Sequence, residues 1–163
     1  MSTAAPELFC EEMTAASLAG ALAVLAAFLG DDPHYLASSA VYGDAGSGAS
    51  KAALRLFLKR PELGFVYVAR RGDEVLAACV VCYAISTSRG GLVAKLDDVS
   101  VKPAHTGQGI GGAMLEALKV KLHAQGVSRI DCGCHRDNVG AWRFYERHGF
   151  RPLNEERVAC LLA

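Results

Sequence analysis

Stretches in which apolar side chains alternate or run together, broken by Gly, Asp, Ser and Pro, divide this chain into short units. Residues 7–13 have the apolar content of a short strand. Thr14 stands where a cap belongs, ahead of a run rich in alanine and leucine that stops at Gly30, before Asp31, Asp32 and Pro33. A β-α unit therefore opens the chain. Residues 31–50 are rich in Gly, Ser, Asp and Ala, with Tyr35 and Tyr42 among them, and are expected to form an irregular surface excursion of the kind that often carries specificity. A second helix is predicted from a cap at Ser50 to a stop before Pro61, with Ala53, Leu54, Phe57 and Leu58 at helical spacing. Three strands follow, at 65–70, 75–85 and 92–101, separated by turns at Arg71-Gly72-Asp73 and at Ser88-Arg89-Gly90-Gly91. Such tight turns make an antiparallel meander.

The connections then lengthen. A helix is predicted from the glycine cluster at 107–112 to about Gln125, then a strand at 129–134, a helix at 138–148 and a last strand at 157–162. Strands joined first by turns and later by helices describe an α+β chain whose mixed sheet is antiparallel early and ends in a parallel β-α-β crossover. No repeat or linker divides it, so residues 1–163 are expected to form a single domain.

Composition narrows the class of partner. With 52% hydrophobic and 21% charged residues, the chain is too apolar to be disordered or a coiled coil. Its 17 Lys and Arg cancel its 17 Asp and Glu, and the lack of a global positive field argues against a nucleic-acid partner. No window reaches the roughly 18 consecutive apolar residues that span a bilayer. The apolar run at 15–30 is short and follows an N-terminus without the basic residues of a secretion signal, so a soluble, cytoplasmic protein with no membrane partner is expected.

Six cysteines raise the question of disulfides or metal. Cys79-Val-Val-Cys82 is a C-x-x-C, but side chains three apart in a strand point to opposite faces and cannot grip one ion. Cys132 and Cys134 share a face, yet no second pair with ligand spacing accompanies them. No metal site is expected, and all six read as buried, inert thiols.

The segment from Asp98 to Gly112 carries the most information. A strand runs into Gly107, Gly109, Gly111 and Gly112 and directly into a helix. Glycines at such a turn let a ligand approach the main chain while the N–H groups of a helix N-terminus point at it, which is the geometry of a pyrophosphate site. Gly107-x-Gly109-x-x-Gly112 matches the dinucleotide fingerprint literally, but that fold places the turn after its first strand and needs further β-α-β units beyond it. No Lys-Ser/Thr pair follows the glycines, which removes the ATP-binding P-loop. Another nucleotide-bearing cofactor is indicated.

Val101-x-Pro103-x-x-Thr106-Gly107-x-Gly109-Ile110-Gly111, followed by Asn138-x-x-Ala141-x-x-Phe144-Tyr145-x-x-x-Gly149-Phe150, resembles the paired acyl-CoA motifs of the GNAT superfamily of N-acetyltransferases. The likeness is close over residues 92–152. Leu96-Asp97-Asp98-x-x-Val101 is similar, more weakly, to the diamine (spermidine/spermine-type) branch. The resemblance implies a GNAT-type fold with acetyl-CoA as co-substrate. It implies that Val99, Ser100 and Val101 hold the pantetheine arm, and that the turn from Thr106 through Gly107, Gln108, Gly109, Ile110 and Gly111 to Gly112 cradles the pyrophosphate. Asn138 and Ala141 would lie along the arm, and Tyr145 would be the general acid that protonates the departing thiolate. Where the family usually has Arg or Gln, this chain has Thr106. The charge-assisted contact of a guanidinium is thereby lost, leaving Lys102 and Arg143 as candidates to supply it.

Acetyl transfer needs a neutral amine, a polarised thioester carbonyl and a proton for the thiolate. Asp97 and Asp98 are adjacent in a strand and are expected to face opposite sides of the sheet, and the resemblance favours Asp97 as the base. His105 and His135 are alternatives, and a cysteine nucleophile at Cys132 or Cys134 is weighed against direct transfer in a ternary complex, which is favoured. The expected acceptor is a small-molecule primary amine, over which Asp31, Asp32, Tyr35, Tyr42 and Asp44 would close. The competing class is a non-catalytic acyl-CoA-binding regulatory module. An apolar terminal strand, Val158 to Leu162, makes a homodimer the expected assembly.

Overall fold

The computed structural model describes residues 6–162. Five strands form one sheet in the order β1-β2-β3-β4-β5: β1 (Leu8–Glu12), β2 (Gly64–Arg71), β3 (Glu74–Ser86), β4 (Gly91–Val101) and β5 (Ile130–Cys132). The first four pair antiparallel, and β5 joins β4 in parallel after a helical crossover, as the alternation of turns and helices predicts. Five α-helices complete the fold: α1 (Leu18–Asp31), α2 (Pro33–Tyr42), α3 (Ser47–Lys59), α4 (Ile110–Ala124) and α5 (Val139–Arg147).

Helices cover both faces, so β2 is buried nearly end to end rather than alternating. On one face Met13, Val66, Val68, Val75 and Ala78 pack against Ala21, Val24 and Leu25 of α1 and Leu54 of α3. On the other, Tyr67, Leu76, Cys79, Val81 and Leu96 meet Ile110, Met114, Leu115, Leu118 and Leu122 of α4. The α4 residues recur at helical spacing and bury that helix along its length, which fixes its N-terminus against the end of β4. No helix among the described residues is long and apolar enough to cross a membrane.

Two elements differ from expectation. Residues 33–42 of the presumed loop are helical. Asp32 caps α2 by accepting the Tyr35 N–H at 2.7 Å, Pro33 occupies the first turn, and Gly43 ends it at φ 70°. This helix buries none of its residues, so it leaves no apolar stripe to be read. The strand expected at 157–162 does not form. Val158 is 95% and Leu162 94% exposed, because an apolar run makes a strand only where an edge receives it, and among the described residues none does.

One irregularity matters for the site. Ala78 pairs with Ser100 and Val80 with Asp97, so Asp98 and Val99 together oppose Cys79, and Asp98 takes φ 51°. This is a β-bulge with Asp98 as the inserted residue.

Candidate active site

Beyond Leu96 and Cys132 the two parallel strands separate: β4 continues to Val101, while the chain leaves β5 and turns into α5. The gap is a cleft of about 200 Å³, lined by Val99, Ser100 and Val101 on β4, Gly111 on α4, and Ala141, Phe144 and Tyr145 on α5. Asn138 sets the start of α5 by accepting the Ala141 N–H at 3.0 Å. That bond uses its carbonyl and leaves its amide N–H groups as donors. Ala141 and Tyr145 then follow at helical spacing on one face, and both line the cleft. Phe144 was not singled out from the sequence as a cleft residue. Its ring, 5.3 Å from that of Tyr145 and 4.8 Å from that of His148, forms the wall, and its position three past Ala141 was the available signal.

The glycine-rich turn serves two purposes. Gly107 and Gly109 take φ 79° and 77°, and a Cβ on either would meet nothing within 4 Å, so the main chain there lies open to a ligand. The backbone N–H groups from Gly107 to Gly112 find no acceptor among the described residues. Gly111 and Gly112 instead answer to packing: a Cβ on Gly111 would lie 3.2 Å from Val101, and one on Gly112 3.1 Å from the His148 ring. Thr106, Gln108 and Ile110 complete the turn, the first two exposed and the last buried under α4. Lys102 ion-pairs with Glu74 at 2.9 Å. Arg143, two residues before Tyr145, lies nearly opposite it around the helix. Neither expected cation faces the turn unencumbered.

Tyr145 lines the cleft, and Asp97 and Asp98 immediately precede Val99 of its β4 wall. Burial pushes the Tyr145 phenol well above its ordinary value, with Cys132, Cys134, Cys79 and then Asp97 adding to the effect. It therefore keeps its proton at neutral pH. Asp97 is held 2.6 Å from Lys95 and 3.8 Å from Arg157. Asp98 is pushed up to about 6 by burial first and by Asp97 second, while Lys95 and Arg157 pull it back. Both carboxylates thus feel the same two cations. The bulge takes Asp98 out of the regular pleat, so strand alternation no longer sets the side it faces.

A family model described as acetyltransferase (GNAT) family matches residues 31–150. This chain belongs to the GNAT acetyltransferase family. Solved structures of similar fold include a transcriptional regulator from Bacillus halodurans C-125 (TM-score 0.75, 21% identity, 96% of this chain and 100% of that one covered). A predicted acetyltransferase from Clostridium acetobutylicum, solved with acetyl-CoA, gives a TM-score of 0.70 at 13% identity, covering 93% of this chain and 94% of that one. A ribosomal-protein-alanine N-acetyltransferase from Brucella melitensis biovar Abortus 2308 gives 0.71 at 13%, covering 95% and 99%.

Acetyl-CoA is the co-substrate typical of GNAT proteins, and the residues present fit it. An open main-chain cradle with unspent N–H donors suits a pyrophosphate, and the apolar cleft beside an unpaired strand edge suits an extended arm. Other residues weighed from the sequence fall outside this GNAT site or are occupied. Asp32 caps α2, and Asp44 accepts from the Tyr35 hydroxyl at 2.8 Å and from the Gly46 N–H at 2.7 Å. The His135 Nδ1 accepts the Asp137 N–H at 3.2 Å, and its ring lies 5.1 Å from that of His34. His148 bonds Glu116 at 2.7 Å. All six cysteines are free, but only Cys79 is buried, among the residues that face α4; Cys82 has the parity of Val80 on the other face and, like Cys10, Cys132 and Cys134, is partly exposed, and Cys160, in the tail that forms no strand, is exposed. Arg157, unremarked in the sequence, reaches the acidic pair from a segment distant in the chain.

Proposed function

We propose that this chain is an N-acetyltransferase that moves the acetyl group of acetyl-CoA to the primary amine of a small molecule, by direct transfer in a ternary complex. The observation that supports this reading is a protonated phenol, Tyr145, in the cleft wall, with Asp98, a carboxylate that titrates near neutrality, immediately preceding Val99 of the same wall. Acetyl-CoA supplies an activated thioester when bound. Val99, Ser100 and Val101 would hold the arm as a further strand would be held, Ala141 and Phe144 would exclude water from it, and the N–H groups of residues 107–112 would hold the pyrophosphate. Tyr145 keeps the proton that a departing thiolate requires.

The base is best assigned to Asp98 rather than Asp97. Lys95 and Arg157 already engage Asp97, whereas Asp98, pushed up to about 6, is mostly ionised at neutral pH and close enough to neutrality to accept a proton from an ammonium through water. Asp97, which carries the likeness to the diamine branch, then keeps its neighbour's affinity for protons high. A covalent cysteine route is disfavoured because burial pushes the Cys132 thiol up to about 12 and raises Cys134 as well. Such thiols are poor sources of thiolate at neutral pH.

Thr106 favours a second reading, a non-catalytic acyl-CoA-binding regulatory module, because it sets a hydroxyl rather than a guanidinium at the turn and the nearby Lys102 is paired with Glu74. A thiol-release assay with acetyl-CoA and a panel of primary amines separates the two. Amine-dependent release above background supports the enzyme; acetyl-CoA binding without release for any amine supports the module.

A further inference from the structure

The segment beyond α5 returns across the end of β5 and brings Arg157 to the acidic pair. The Arg157 Nη1 lies 3.8 Å from the Asp97 Oδ1. Gly133, the first residue after β5, makes room for it: a Cβ there would fall 2.0 Å from Arg157 Nη1 and 3.1 Å from its Cζ. Gly133 is not among the glycines with positive φ, so the backbone does not require glycine at this position. Space does, and the guanidinium fills that space. The segment is fastened on both sides of Arg157, by an ion pair between Glu156 and Arg136 and by Leu161 seated over Gly43 at the end of α2.

The charges at this seat are not fully spent on one another. Asp97 is satisfied by Lys95 at 2.6 Å, and its distance to Arg157 exceeds that of a hydrogen bond. The half-exposed guanidinium therefore keeps most of its donors, and Asp98 has no ion-pair partner among the described residues. Asp98 lies close enough to the underused guanidinium of Arg157 to feel its charge, and it immediately precedes Val99 in the cleft wall. A simple diamine would bring its second cation against Arg157 and Lys95. An amine that carries a carboxylate near its nitrogen would satisfy both groups at once, the ammonium at Asp98 and the carboxylate in the fork of Arg157.

We infer that Arg157 is a specificity-determining residue that selects, as acceptor, a primary amine bearing a carboxylate close to the amino group. The inference rests on the acetyltransferase reading above and names its substrate class.

The test compares primary amino carboxylates with their decarboxylated twins. It measures both calorimetric affinity for the CoA-loaded protein and kcat/KM for thiol release, in the wild type, Arg157→Ala, Arg157→Glu and Gly133→Val. The wild type is expected to favour the carboxylate-bearing member by about 10- to 100-fold, the effect of one charge-assisted pair. Arg157→Ala should erase the preference through KM, Arg157→Glu should reverse it towards the decarboxylated amine, and Gly133→Val, which evicts the guanidinium while keeping Arg157, should erase it in a chain whose tail sequence is intact. Equal affinity for the twins in the wild type, or a preference that survives both Arg157→Ala and Gly133→Val, overturns the inference. Preferential binding without thiol release would leave the inference standing and sink the acetyltransferase reading. Turnover of both twins without preference would do the reverse.

Discussion

Leu96 and Cys132 are the last paired residues of the parallel β4–β5 ladder, and every group of the candidate site lies at or beyond that rung. Parallel strands held together further would leave no room for an arm between Val101 and α5. The β4 bulge lies two residues past the rung, where Asp98 takes φ 51°, so the ladder opens and β4 leaves its regular pleat within the same short stretch.

Removing the Tyr145 hydroxyl should slow the chemistry and spare binding. Tyr145→Phe keeps the ring that packs 5.3 Å from both Phe144 and Phe150, so the wall of the cleft survives. We expect kcat to fall by about 10²- to 10⁴-fold, the usual range for a lost general acid, with the affinity for acetyl-CoA little changed. Steady-state thiol release and calorimetry check this. An unchanged kcat removes Tyr145 from the mechanism.

Asp98 links activity and stability with opposite signs. As the base it must be ionised, so kcat/KM should rise with pH through about 6 and then level off, and Asp98→Asn should abolish that limb. For stability, the folded-state value lies above the ordinary 3.8, so the unfolded chain gives up its proton first. Raising the pH from about 4 to about 6 therefore costs stability, and the full penalty persists above that window. Asp98→Asn should thus be more stable than wild type at pH 7, by on the order of 2 kcal/mol, and indistinguishable near pH 3. Thermal melts at the two pH values check the sign; a variant destabilised at pH 7 contradicts it.

The turn should accept the charge it lacks. Thr106 is exposed beside the open glycines, and Thr106→Arg is expected to tighten acetyl-CoA binding by about tenfold at low salt, with the gain shrinking as salt rises. Calorimetry at two ionic strengths would show it. No change in affinity would mean that residue 106 does not border the pyrophosphate.

Val158, Leu161 and Leu162 are exposed in a segment that finds no strand partner among the described residues. A homodimer that covers them is the expected assembly. Sedimentation across protein concentrations should show a dimer that Val158→Asp with Leu162→Asp weakens, and a monomer at every concentration would contradict it.

Much of this architecture was legible because local chemistry and global fold agree. The meander shows in its turn residues, the crossover in the change from tight turns to helices, and the cleft in the pairing of Gly107–Gly112 with Asn138–Tyr145. Where the reading failed, the deciding term was nonlocal or a single residue long. Strand alternation assigns Asp97 and Asp98 to opposite faces, and one inserted residue in β4 takes Asp98 out of that alternation. Lys102 looked free until β3 placed Glu74 beside it. The helix α2 has no buried stripe, yet its Asp-Pro start and Gly43 stop were present in the sequence and outweighed by the polar composition between them. Arg157 had no signal, because its role depends on where an irregular segment comes to rest.

The most direct measurement is a crystal structure with CoA and an amino carboxylate bound together. The account predicts the arm along Val99–Val101, the sulfur within about 3.5 Å of the Tyr145 hydroxyl, and the amine nitrogen beside Asp98, on the line from Asp98 to the thioester. A CoA arm that bypasses the cleft between β4 and α5, or a sulfur out of reach of Tyr145, would contradict it.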